Sequence, residues 1–122
     1  MATSTLKHNT GETKTTASQS GINLANASAG AYCDTVLEAG TWVILRGCNF
    51  STSGSGYRWV GRDATDARMN RTTASAISGA EMFLQHLEIA VLSESTTVKT
   101  WVYQNSGSGL TIYPYLHAIK IA

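Results

Sequence analysis

Three stretches of this chain, written as extended strands, are apolar on both faces, and that restricts what they can fold into. Along residues 41–50, Trp42, Ile44, Cys48 and Phe50 alternate with Val43 and Leu45. Along 82–92, Phe83, Leu87, Ile89 and Val91 oppose Met82, Leu84, Ala90 and Leu92. Along 110–122, Leu110, Ile112, Leu116 and Ala118 oppose Tyr113, Tyr115, Ile119 and Ile121. A strand in a lone antiparallel sandwich is apolar toward the core and polar toward water. These strands need cover on both sides, and no helical segment is available to give it. The cover is therefore expected from other copies of the chain or from a partner, which makes a homo-oligomer the first expectation.

The remaining segments agree with a β protein. At 122 residues the chain suits one domain, and its apolar fraction of 43% is enough for a core. Charged residues are only 14%, with Ser and Thr in their place, a composition that suits pleated surfaces and turns. Short strands are expected at 21–27, 31–40, 41–50, 57–63, 80–93, 96–105 and 110–122, separated by Gly-Ser turns. Residues 80–93 also carry a helical stripe of Met82, Phe83, Leu87, Ala90 and Val91. Leu84 and Ile89 lie off that stripe and need burial too, so the segment reads as a strand. The stretch "ATDARMNRTTASAISG" (64–79) reads as a polar loop. Pro114 inside the last strand predicts a break in its ladder, such as a bulge. The expected organisation is a polar, extended N-terminal arm over 1–20 and an antiparallel β-sandwich over 21–122. An arm with so little apolar content is expected to be held by a neighbouring subunit.

Net charge is +1, giving no pull toward nucleic acid, and no apolar run approaches a membrane span. The N-terminal residues lack a signal peptide pattern, so synthesis in the cytoplasm is expected. Cys33 and Cys48 flank the turn at Glu38–Gly40. If the flanking segments pair about residues 40 and 41, the two lie opposite and a disulfide is possible. Two reduced thiols are the alternative that cytoplasmic synthesis favours.

Few residues suggest chemistry. Tyr57, Arg58, Trp59, Arg62 and Arg68 form a basic, aromatic stretch suited to acidic sugars or phosphate-bearing polymers, since guanidinium groups fork onto anions and rings stack. The competing reading is a set of ion pairs between subunits. Asp63 and Asp66 are too few for a calcium loop and fit a salt-bridged one better. His117, placed among apolar neighbours, reads as a hydrogen-bonded interface histidine rather than a metal ligand. Sequons at Asn26, Asn49 and Asn70 are discounted without an export signal. No nucleophile, metal or phosphate-loop motif is present, so no enzymatic activity, cofactor or metal is expected.

"GTWVILRGCNFSTS" followed by "EMFLQHLEIAVLSESTTVKTWVYQNSGSGLTIYPYLHAIKIA" resembles the trimeric jelly roll of the tumour-necrosis-factor and complement-head superfamily, and within it the small domains at phage fibre tips. Gly40, Trp42 and Ile44 match an early Gly-x-aromatic-x-aliphatic strand. Gln104, Ser106 and Gly107 match a Gln-x-Ser-Gly turn, and Leu116, Ala118, Ile119, Lys120 and Ile121 match the closing strand. The resemblance covers residues 30–122 and leaves out the arm; residues 62–79 match nothing in it. It implies a homotrimer with the last strand near the threefold axis, and Trp101, Tyr103, Tyr113, Tyr115, His117 and Ile119 in the interface. It further implies a virion protein at a tail or fibre tip that binds a host-surface glycan or protein. A capsid or head-fibre decoration protein, docked to other virion proteins by its arm, is the alternative.

Overall fold

The strands on either side of Gly40 do not pair with each other; the turn between them carries the chain from one sheet to the other. The computed structural model describes residues 11–18, 20–64, 70–77 and 79–122. Nine strands are found among these residues: β1 (Thr13–Ala17), β2 (Ile22–Leu24), β3 (Ser28–Leu37), β4 (Gly40–Phe50), β5 (Tyr57–Gly61), β6 (Arg71–Ser75), β7 (Met82–Leu92), β8 (Thr96–Gln104) and β9 (Leu110–Lys120). One sheet runs β1-β9-β4-β7, with β2 also on β9, and the other runs β3-β8-β5-β6. The described pairings are all antiparallel. Two such sheets, with successive strands crossing between them, make an antiparallel β-sandwich of jelly-roll type.

The alternation read from the sequence sets which side faces in. Trp42, Ile44, Leu37, Val98, Leu116 and Ala118 pack at one end of the interior. Phe50, Cys48, Val60, Val102, Ile112, Leu24, Met82 and Leu84 pack at the other. Between them, at the inward position of β4 flanked by Ile44 and Cys48, stands the buried side chain of Arg46. Gly40 has φ of +142°, and a Cβ there would meet the backbone carbonyl oxygen of Ala122 at 2.8 Å, so the crossover requires glycine.

Gln104 explains the Gln-x-Ser-Gly turn in physical terms. Fully buried, it donates Nε2 to the carbonyls of Leu24 (2.9 Å) and Ser108 (2.8 Å) and accepts from Ser106 N–H (2.7 Å). One amide thus closes the β8–β9 turn and ties β2 to it.

Several expectations are corrected. Part of the expected arm, Thr13–Ala17, is an edge strand paired with this chain's own β9; its threonines favour a pleated edge. Residues 1–10 lie outside the described residues. Within the expected 64–79 loop, Arg71–Ser75 forms edge strand β6. An edge strand with only Ala74 as an apolar residue carries almost no hydrophobic alternation to read. Pro114 makes no bulge: β9 keeps a continuous register on β4 through Cys48↔Pro114. Its carbonyl accepts from Ser18 N–H at 3.0 Å, just past the end of β1, so its missing donor falls in the gap between β1 and β2. Cys33 and Cys48 belong to different sheets, and both thiols are free. Burial pushes the Cys48 thiol up to about 12 and raises that of Cys33.

Candidate binding surfaces

The basic, aromatic stretch at 57–62 alternates along β5, and the fold therefore separates its members. Tyr57 and Trp59 point to the outer face of the β3-β8-β5-β6 sheet. There Trp59 stacks on Tyr103 of β8 (5.6 Å, 7° between planes), and Tyr57 meets the same ring at 5.5 Å. The Arg71 guanidinium lies over the other side of Trp59 at 5.0 Å, so the indole is covered by its neighbours. Arg58 points the opposite way. It is 1% exposed and donates to the carbonyls of Ser55 (2.7 Å) and Ser53 (3.2 Å), holding the 51–56 loop. Burial lowers its pKa. As a candidate ligand residue it is therefore corrected to an internal brace: a strand cannot present adjacent side chains on one face. Arg68 and Asp66 lie outside the described residues.

Arg62, beyond the end of β5, joins a network that local sequence reading did not find. Glu88 accepts from Arg46 (Oε1, 2.6 Å) and from Arg62 (Oε2, 2.9 Å). Arg46 also donates Nε to the Lys99 carbonyl at 2.6 Å. Burial pushes the Glu88 carboxyl up, but the bonds from Arg62 and Arg46 outweigh it and hold the pKa below the ordinary range. His86, whose Nδ1 lies 3.1 Å from Thr72 Oγ1, has its pKa lowered by burial and by the charge of Arg46. The signal was present in the sequence: Arg46, His86 and Glu88 all sit at inward positions of otherwise apolar strands.

This network borders a cleft of about 380 Å³ where β5 ends and β8 runs on. Arg46, Arg62, Asp63, Glu88, Thr96, Thr97, Lys99 and Trp101 line it, over Ala90, Leu92 and Val98. Asp63 accepts from Asn70 at 3.1 Å and lies 3.8 Å from Arg62 Nε. The sequon asparagines likewise have structural partners: Asn26 holds Gly107 N–H at 2.7 Å, and Asn49 reaches Glu81 at 3.4 Å. Among the described residues no cluster of three His, Cys, Asp or Glu could hold a metal ion.

The second surface is the outer face of the β1-β9-β4-β7 sheet. Phe83, Leu87, Ile89 and Val91 of β7 are 61, 63, 67 and 79% exposed. Val43 and Leu45 of β4 and His117 and Ile119 of β9 continue the face, around a shallow groove of about 300 Å³ closed by Thr13 and Thr15. Tyr115 lies flat across Gly47, where a Cβ would meet its ring at 2.1 Å, and packs on Phe83 and His117. Thr15 Oγ1 is 3.0 Å from His117 Nδ1. Of the six residues assigned to one interface, Tyr113, Tyr115, His117 and Ile119 belong to this sheet. Trp101 and Tyr103 lie on β8 in the other sheet, so the six do not share a face.

No protein-family model matches the chain, and no curated protein matches its sequence. Among solved structures it is similar to a mutant VP2 protein of infectious bursal disease virus in derived T=1 particles (TM-score 0.57, 10% identity, 89% of this chain and 32% of that one). A VP2 subviral particle of the same virus aligns at TM-score 0.47 (10% identity, 91% and 37%). A carbohydrate-binding module from Cellvibrio mixtus lichenase 5A in complex with cellotriose aligns at 0.45 (15% identity, 92% and 88%). The chain spans about a third of the VP2 chains it matches, and what the VP2 likeness establishes is the jelly-roll fold itself.

Proposed function

We propose that this chain is a virion structural protein, a trimeric jelly roll at a phage tail or fibre tip that binds the host surface. The observation that carries the assembly half is the outer face of the β1-β9-β4-β7 sheet. Four large apolar side chains on β7 alone are more than half exposed, and contiguous apolar surface of that kind marks an interaction site. Three copies packed about that face would cover it and place β9 near the axis. The fold shared with VP2, which occurs in derived T=1 particles, supports a role in a virion.

Light scattering on purified protein tests assembly: a trimer is expected, and a stable monomer at micromolar concentration would sink it. Whole-cell binding by the purified trimer tests the tip role. Binding to host cells is expected; its absence, with hundreds of copies per particle, would assign the chain to capsid decoration instead.

A further inference from the structure

We propose that the cleft at the end of β5 is a saccharide site, in which a sugar ring lies against Trp101 and its hydroxyls meet Arg62, Asp63, Thr96 and Thr97. The proposal deepens the host-binding reading above and names the class of ligand. Its geometry begins with strand lengths. β5 pairs with β8 only from Gly61↔Trp101 to Arg58↔Gln104, so Thr96–Thr100 has no strand beside it on that side among the described residues. The inner face of β7 floors the resulting notch with Ala90 and Leu92, while Trp101 forms a wall.

Three properties fit a sugar. The volume, about 380 Å³, is within the range of small-ligand sites, and the lining combines an aromatic wall and apolar floor with a few fixed polar groups. A pyranose has the same two-sided character: C–H groups that pack on a π face, and hydroxyls that need paired donors and acceptors. The polar groups are also held before any ligand arrives. Glu88 is gripped by two arginines, and Asp63 is held by Asn70 and Arg62, so little side-chain freedom is lost on binding. The charges that line the cleft are balanced: Arg46 and Arg62 are bonded to Glu88, Arg62 also lies 3.8 Å from Asp63, and Lys99 lies 3.8 Å from Asp34. A neutral or singly acidic sugar suits that balance better than a polyanion.

An added peptide strand is the other occupant that a bare strand edge suggests. Here the Lys99 carbonyl, which such a strand would need, already accepts from Arg46 Nε. Arg46 thus occupies the acceptor from which an added strand would take a ladder bond, which favours a small ligand over a strand.

Of the three tryptophans, Trp42 and Trp59 are buried, so a ligand-induced fluorescence change reports on Trp101. The protein is titrated with maltotriose, tri-N-acetylchitotriose and trigalacturonate, and amide shifts are mapped by NMR on the unmodified chain. Expected are saturable binding of at least one trisaccharide, with shifts centred on Thr96–Trp101, and an affinity loss of about tenfold or more in Trp101→Ala. Tyr103→Ala, on the aromatic stack outside the cleft, should stay within about twofold of wild type. No saturation by any of the three, or shifts centred elsewhere, overturns the site. A response at the same amides to an extended Thr-Val-Thr-Val-Thr peptide alone would assign the notch to strand addition instead. Because the map needs no variant, a misfolded Trp101→Ala does not blunt it. A monomeric protein that still binds sugar would remove the trimer and leave this site standing.

Discussion

At the residue scale, the two buried arginines look alike in exposure and differ in what they hold. Arg46 neutralises a half-enclosed carboxylate, whereas Arg58 reaches only the carbonyls of a loop that water can also reach. Removing one partner of a buried ion pair strands the other charge, while replacing an unpaired buried cation by an apolar chain of similar volume costs little. Arg46→Met leaves Glu88 only the more exposed Arg62 and should therefore lose about 2 kcal/mol in denaturant unfolding, and Arg58→Met no more than about 1 kcal/mol. Equal losses would refute the distinction. Acid acts on the same region. His86 has a folded pKa below its ordinary 6.5, so the unfolded chain binds the proton first. Its contribution is complete above about pH 6.5 and declines as pH falls toward the folded value. Glu88 is depressed below its ordinary 4.5, and its contribution declines only below that pH. Unfolding free energy should thus fall in two stages on acidification. His86→Gln should remove the upper stage and keep the lower; a variant that retained both would rule out His86 as the source.

At the scale of elements, what could be read depended on whether a strand buries apolar side chains. β4, β7 and β9 were legible because their alternation is long and strong, and the grouping of their residues into two faces came out as observed. β1 and β6 were missed because an edge strand needs only backbone partners, and Thr-rich segments carry no hydrophobic period. The separation of Tyr57 and Trp59 from Arg58 followed from alternation alone, but reading them as one cluster ignored it. Which distant strands become neighbours, within a sheet for Arg46 on β4 beside Glu88 on β7 and between sheets for the cleft that Trp101 borders, has no local signature. The role of β1 can be tested separately. Its bonds to β9 fall on even-numbered residues, as Lys120 N–H to the Glu12 carbonyl indicates, while odd-numbered ones face β4. Truncation to begin at Ser18 should speed hydrogen exchange at Leu116, Ala118 and Lys120 far more than at Tyr115, His117 and Ile119. Uniform acceleration along β9 would mean that β1 supports the whole sheet rather than its edge.

For the whole molecule, the two outer faces imply a division of labour. One sheet covers Trp59 internally, with Tyr103 stacked on the indole and the Arg71 guanidinium over it. The other leaves Leu87, Ile89 and Val91 open while its polar groups, Thr13, Thr15 and His117, lie along one margin of the groove. If copies meet there, the contact is apolar at its centre, and its strength should depend little on salt, because screening acts on charges. A double variant, Leu87→Thr with Ile89→Thr, keeps β propensity and touches nothing in the core. Each side chain contributes about 1.5–3 kcal/mol when buried, so their loss from every subunit should dissociate a trimer into monomers. Light scattering should report that change at low and at high salt alike, while the thermal midpoint of the dissociated chain reports the intrinsic stability of the sandwich. Dissociation of the wild type by salt alone would point to the charged side of the molecule as the interface. An unchanged trimer in the double variant would move the contact off this sheet altogether.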